Sequence, residues 1–163
     1  MDDSLLKFEN IVRRAYQFSE TEAESLQAQH PFDERNIHQA FPVIVRQLFD
    51  DGHYSQATFE AFKFIDKEIQ RISGSPESGF KLMMQVFGES SPTIQLTPNS
   101  TTSEKDEQKG YQFLFAGGIL AIRNPRGHEY SLKDFPDLCL DHLALASLLL
   151  RKLETAGYII VKT

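Results

Sequence analysis

The 163-residue chain has a single cysteine, Cys139, no tryptophan, and no apolar run longer than the ten residues Phe113–Ile122. One cysteine excludes an internal disulfide framework and any zinc site built from several thiolates, and it suits a reducing compartment. Ten apolar residues are half of the roughly 20 that a bilayer-spanning helix needs. Basic residues are also short, with 17 Lys and Arg against 23 Asp and Glu and a net charge of −6. A protein that coats nucleic acid non-specifically carries the opposite sign. The opening MDDSLLKFEN is acidic where an export signal is basic, so the expectation is a cytoplasmic protein with no membrane segment. Absent too are HExxH, a glycine-rich phosphate loop, GxSxG and an acidic calcium loop. His30, His38, His53, His128 and His142 show no metal-ligand spacing, and neither metal nor cofactor is expected.

What is present is a globular composition, 40% hydrophobic with thirteen Phe, and a strong helical periodicity. A chain of this size buries roughly 70% of its unfolded surface, enough for one core without staples. Leu5, Phe8, Val12 and Ala15 recur at three- and four-residue steps, predicting a helix over about 4–18. Ser19 and Thr21, each followed three residues on by Glu, read as capping boxes of a second short helix that ends near Gln29, before a break at His30–Asp33. Ile37, Phe41, Ile44, Leu48 and Phe49 form one helical face, which ends at Asp50-Asp51-Gly52. Tyr54, Ala57, Ala61, Ile65, Ile69 and Ile72 form the next, closed by Ser73-Gly74-Ser75-Pro76. The stretch Phe80–Phe87 predicts a third helix, and Gly88–Ser103 a long loop. Ser103 with Asp106 predicts the cap of a helix reaching about Asn124, whose apolar half, Phe113–Ile122, is expected at the buried centre. Gly117-Gly118 within it permits close helix approach. Pro136 opens a Leu-rich helix to Gly157, followed by the β-like Tyr158-Ile159-Ile160-Val161. The pattern predicts an all-α, up-and-down four- or five-helix bundle over residues 36–157, with a helical arm at 1–35 and an apolar tail at 158–163.

One segment concentrates polar chemistry: Arg123-Asn124-Pro125-Arg126-Gly127-His128-Glu129-Tyr130. Pro125 has no N–H and clashes with the carbonyl of Ala121, and it biases Asn124 away from the helical region. The sequence therefore predicts that the helix ends or kinks here, with Gly127 in a left-handed turn. On an unbroken helix Arg123 and His128 stand about 140° apart; a kink brings them together. Two readings of these residues stand side by side. Arg and His near a helix C-terminus complement its dipole. The same pair also suits a phosphodiester, with guanidinium to grip phosphate and imidazole to move a proton.

This RNPRGH stretch resembles the R-x-x-x-x-H motif of the HEPN superfamily, helical domains many of which are metal-independent ribonucleases in toxin–antitoxin, abortive-infection and CRISPR systems. Extended to Tyr130 it takes the R-x-x-x-x-H-x-Y form of HEPN toxins paired with minimal nucleotidyltransferase antitoxins. LFDDGHYSQATFEAFKFID, KLMMQVFG, SEKDEQKGYQFLFAGGILAIRNPRGHE and LALASLLLRKLETA are similar to the Ymh family, a prokaryotic group often encoded near phage, plasmid and restriction loci. That similarity covers about residues 36–156 and leaves the N-terminal arm outside it.

The resemblance implies a metal-independent endoribonuclease, a toxin or anti-phage defence effector, in which the substrate's 2′-hydroxyl is the nucleophile. His128 is then the general acid or base and Arg123 stabilises the phosphorane. Asn124 orients His128 or donates to a phosphate oxygen, and Arg126 and Tyr130 contact substrate. Glu60 and Lys63, one turn apart, read as a solvated ion pair, yet their place in the family-like stretch puts them at the cleft. His53 reads as a cap or turn residue, and Cys139, without a cationic neighbour, as a packing residue. Residues 123–133 hold Arg123, Arg126 and Lys133 against Glu129, a local positive excess on an acidic body. The expected partners are RNA, a second copy in a homodimer whose two motifs share one cleft, and an antitoxin or defence-system protein. The alternative from another class is a non-catalytic RNA- or nucleotide-binding or scaffolding module. A plain interaction domain docking through its apolar tail is the third.

Overall fold

Helical periodicity becomes helix wherever proline and glycine permit it. The computed structural model describes residues 8, 11–12, 29–88, 91–129 and 132–162, and all regular structure among them is helical. The chain divides into two compact units, residues 1–34 and 35–163. In the first, Phe8, Ile11 and Val12 are helical and exposed; the remainder of the two expected arm helices lies outside the described residues. The expected break at His30–Asp33 is instead a single helical turn, Pro31–Glu34. Proline is suited to its first position, and Nδ1 of His30 accepts the Phe32 N–H at 3.1 Å.

In the second unit the first helix, α1, is Val43–Asp50, six residues shorter at its start than the periodicity from Ile37 predicts. Pro42 is the reason. It restricts Phe41 to non-helical conformations and itself sits extended, at ψ 142°. Ile37 and Phe41 are buried all the same, whereas Ile44, expected on the core face, is exposed. The second helix, α2, runs Tyr54–Ser73 and stops at Gly74, whose φ of +66° is the left-handed cap expected there. Next comes α3, Gly79–Val86. Its first N–H is taken by the buried carboxylate of Asp66 at 2.7 Å, which joins α3 to the middle of α2.

The loop before α4 (Thr102–Gly117) is a packed structural element. Its own Ile94 and Leu96 are buried. The buried side chain of Gln108 donates to the carbonyls of Phe87 and Ile94 and accepts the Leu96 N–H at 2.7 Å. The cap of α4 is Thr101 with Glu104, a reciprocal box, and not Ser103 with Asp106. Glutamate is long enough to reach back to the cap N–H, as the motif requires. The helix then widens into a π-helical segment, Gly118–Arg123, followed by α5, Asn124–His128, and α6, Pro136–Thr155. Residues 158–162, read from sequence as β-like, form no strand and are held on α2 by hydrogen bonds. Arg71 donates to the Ile159 carbonyl at 2.6 Å, and Glu68 accepts the Val161 N–H at 3.0 Å.

The centre of the bundle is α2, which packs on α1, α3, α5, α6 and the π segment. Its Ala57, Ala61, Phe62, Ile65 and Ile69 are fully buried. The Phe113–Ile122 stretch is not the centre. Phe115, Ala116 and Ile119 face the core, but Phe113, Leu114 and Leu120 are 55%, 44% and 53% exposed. Its helix lies at the outside of the bundle, so an all-round apolar composition leaves one stripe uncovered. Gly118 marks the closest approach to α2, since a Cβ there falls 2.7 Å from the ring of the fully buried Phe62. Gly118→Ala is expected to cost about 1–3 kcal/mol of stability as overpacking, whereas Gly117→Ala, facing open space, is expected to stabilise slightly. Chemical denaturation of the two variants checks the contrast.

Candidate functional site

The backbone at the RNPRGH segment resolves the proline problem without breaking the helix. Asn124 donates its N–H to the carbonyl of Ile119, five residues back, in π-helical register. A wider turn makes room for the ring of Pro125 where an α-turn clashes. Asn124 stays helical, at φ −64° and ψ −44°, against the bias of a residue before proline. The chain leaves the helix only at Glu129, and Gly127 is not in the left-handed region. Glycine is needed at 127 for space: a Cβ there falls 2.9 Å from the ring of Phe59.

Phe59, which the sequence reading does not single out, organises the site. The guanidinium of Arg123 lies over its ring at 5.2 Å, and Lys63 Nζ stands 5.9 Å from the same centroid. The motif thus meets one aromatic ring twice, at Arg123 and at Gly127, the residue before His128. Such cation–aromatic contacts contribute about 0.5–1 kcal/mol at exposed sites and more when desolvated. Phe59 lies off the Ala57–Ala61–Ile65 stripe, and a large apolar residue on the polar side of an amphipathic helix was the available signal. Arg123 donates from Nη1 to the Asn124 side chain at 3.2 Å, so Asn124 serves the arginine. Nε of Arg123 is buried and has no hydrogen-bond partner among the described residues. Among the described residues no carboxylate pairs with Arg123. Lys63 reaches Glu60 at 3.0 Å, and this partly exposed pair is brought beside Arg123 by the shared ring.

His128 is exposed and without a hydrogen-bond partner among the described residues. It borders a cleft of about 190 Å³ formed with Ser55, Gln56, Gly127, Glu129 and Leu132. Arg126, expected as a substrate contact, has other work. Its Nε and Nη2 bind both oxygens of Asp134 at 2.6 and 2.7 Å, and its Nη1 donates to the Ile122 carbonyl at 2.7 Å. Both side chains are almost entirely buried, 6% and 1% exposed. Asp134 is fixed in turn, because its N–H donates to Ser55 Oγ, which donates to the Leu132 carbonyl, each at 2.9 Å. The pair clamps the end of α5 to the segment entering α6. It also removes Arg126 from the expected local positive excess, because the carboxylate that cancels it lies one residue beyond the 123–133 window.

His142 extends this cluster, with Nδ1 3.4 Å from Arg126 Nη2. Burial, and then the neighbouring Arg126 charge, push its pKa down, which leaves the ring neutral and able to accept from the guanidinium. Asp134 and His142 stand eight and sixteen residues from Arg126, across an irregular loop, and no periodicity marks them. Burial pushes the Cys139 thiol up to about 11, and its sulfur accepts from the Thr58 hydroxyl at 3.4 Å. That thiol is a packing group. His53 precedes α2 as an exposed residue with no side-chain capping bond. Tyr130 lies outside the described residues. Among the described residues no group of three or more His, Cys, Asp or Glu side chains is arranged to hold a metal, and no helix is long and apolar enough to cross a membrane.

Comparison with known proteins returns one family. A family model described as a protein of unknown function (Hypoth_ymh) matches residues 35–153. No curated protein and no solved structure matches the chain.

Proposed function

We propose that this chain, which belongs to the Ymh family of unknown function, cuts RNA at Arg123 and His128 without using a metal. The observation that carries the reading is the arrangement on Phe59. A guanidinium with no carboxylate partner among the described residues rests on the same ring that meets Gly127, one residue before an exposed imidazole. Guanidinium stabilises the extra negative charge of a phosphorane. Imidazole transfers protons near neutrality. The substrate's 2′-oxygen attacks the adjacent phosphorus as one base takes its proton. The bond to the 5′-oxygen breaks as an acid protonates it, leaving a 2′,3′-cyclic phosphate and a 5′-hydroxyl. Lys63 stands on the same ring, paired with Glu60, and a neighbouring phosphate competes with that carboxylate for it.

One His128 per chain supplies one of the two proton carriers this step uses. A two-fold dimer joining two motifs in one cleft supplies both. The exposed Phe113, Leu114 and Leu120 on the helix leading into the motif form the kind of apolar surface that marks an interface. This is the arrangement that the likeness of RNPRGH to the HEPN motif implies, and with it a role as a toxin or defence effector. The test is incubation of the purified protein with single-stranded RNA in EDTA, with light scattering on wild type and Leu120→Glu. The proposal expects metal-free cutting by a dimer, and both dimer and activity lost in the variant. RNA bound but uncut identifies a binding module and overturns the catalytic reading.

A further inference from the structure

The Phe59 ring and the cleft at His128 differ in charge, and the difference says what each receives. On Phe59 rests Arg123, with no carboxylate partner among the described residues, beside the Lys63–Glu60 pair. His128 itself borders the cleft of about 190 Å³, whose lining includes Arg126 with its charge already cancelled by Asp134. Its rim carries Glu129, exposed and in no ion pair among the described residues. A phosphate is repelled by that carboxylate and drawn to the guanidinium of Arg123. The cleft is below the roughly 300–1,000 Å³ typical of whole-ligand pockets, and so admits one small planar group and excludes a whole nucleotide. We infer that this cleft, formed by Gln56, His128, Glu129 and Leu132, is a base-selecting pocket for guanine.

The choice of base follows from donor and acceptor chemistry. Single-stranded RNA is read by hydrogen bonds to the Watson–Crick edges of splayed bases. A carboxylate accepts and never donates. Guanine, with N1–H and the exocyclic N2 amine side by side, is the base that offers two adjacent donors on that edge. Uracil offers one, and cytosine and adenine pair one donor with an acceptor that a carboxylate repels. The Gln56 side chain carries both a donor and an acceptor and answers the O6 of guanine. Leu132 supplies an apolar contact for the ring face. The assignment rests on the proposed ribonuclease reading, since it places the guanine beside the phosphate held by Arg123.

Two measurements on the full chain separate the pocket from the catalysis. The first is titration with guanosine, adenosine, cytidine and uridine, followed through the NMR signals of the His128 ring and the Glu129 amide. Guanosine is expected to bind at least about tenfold more tightly than the others, as two charge-assisted hydrogen bonds allow. Glu129→Gln, a surface change that leaves folding intact, is expected to remove the preference. Equal affinities, or a preference unchanged in Glu129→Gln, overturn the pocket. The second maps the ends of RNA fragments, where guanine is expected beside the cut in wild type and no fixed base in Glu129→Gln. Cutting with no base preference in wild type overturns the pocket as well. Absence of cutting overturns the ribonuclease reading, and the nucleoside titration still decides the pocket.

Discussion

His128→Ala is expected to lower RNA cleavage by about 10²–10⁴-fold, the range that loss of a positioned proton carrier produces. The imidazole is exposed and makes no hydrogen bond among the described residues, so its removal leaves the fold and the melting temperature essentially unchanged. Arg123→Ala is expected to cost about 10²–10³-fold, as loss of one transition-state donor does. It also strips a cation from the Phe59 ring. Arg123→Lys is expected to recover only part of the rate, since a point charge on a flexible stem lacks the planar fork that rests on an aromatic face and meets two phosphate oxygens together. Single-turnover rates on one RNA, with unfolding curves for each protein, check all three. Variants that cut as fast as wild type refute the assignment of these residues.

The largest loss of stability is expected at Asp134. Its carboxylate is 1% exposed and binds a guanidinium that is 6% exposed. Removing one partner of a buried pair leaves the other charge uncompensated and costs about 3–5 kcal/mol. Asp134→Ala is therefore expected to lower the urea midpoint steeply and to loosen the end of α5, because Arg126 also holds the Ile122 carbonyl. The double replacement Arg126→Met with Asp134→Leu is expected to recover much of the loss, since it leaves no orphaned charge. His142 adds a pH dependence. Its folded pKa lies below the ordinary value of 6.5, so the unfolded chain binds the proton more readily. The associated stability is complete above that ordinary value and declines as the pH falls from it toward the folded one. Urea midpoints for wild type and His142→Gln at neutral and mildly acidic pH check the sign, and the difference shrinks in the variant.

The parts of this fold legible from sequence are those governed by local rules. The α2 stripe from Ala57 to Ile69 is buried as its spacing predicts, Gly74 takes the left-handed cap, and Pro136 opens α6. The misread parts are those where a neighbour decides. Pro42 delays α1 although Ile37 and Phe41 keep the helical spacing. Pro125 reads as a break, and the chain instead widens one turn around it. Phe113 and Leu120 read as core because they are apolar, but burial depends on what packs against a helix, and among the described residues of the second unit nothing covers that side. At the site, Arg123 and His128 stand out by residue type, and Lys63 and Glu60 only by their place in the family-like stretch. The groups that place or occupy them do not: Phe59 acts through a ring contact across helices, and Asp134 through a pair closed over a loop. Tertiary partnerships of that kind leave no periodicity to read.

The chemistry assigned to His128 and Arg123 is tested most directly by the ends of the RNA fragments they produce. Attack by the 2′-oxygen leaves a 2′,3′-cyclic phosphate on one fragment and a 5′-hydroxyl on the other, and it fails at any position where the 2′-hydroxyl is replaced by hydrogen. The measurement is mass spectrometry of products from one short RNA, and from its singly 2′-deoxy counterpart, after digestion in EDTA. The expected result is cyclic phosphate ends from the first and no cut at the modified position in the second. Fragments ending in 5′-phosphate and 3′-hydroxyl, or undiminished cutting of the 2′-deoxy substrate, contradict the account.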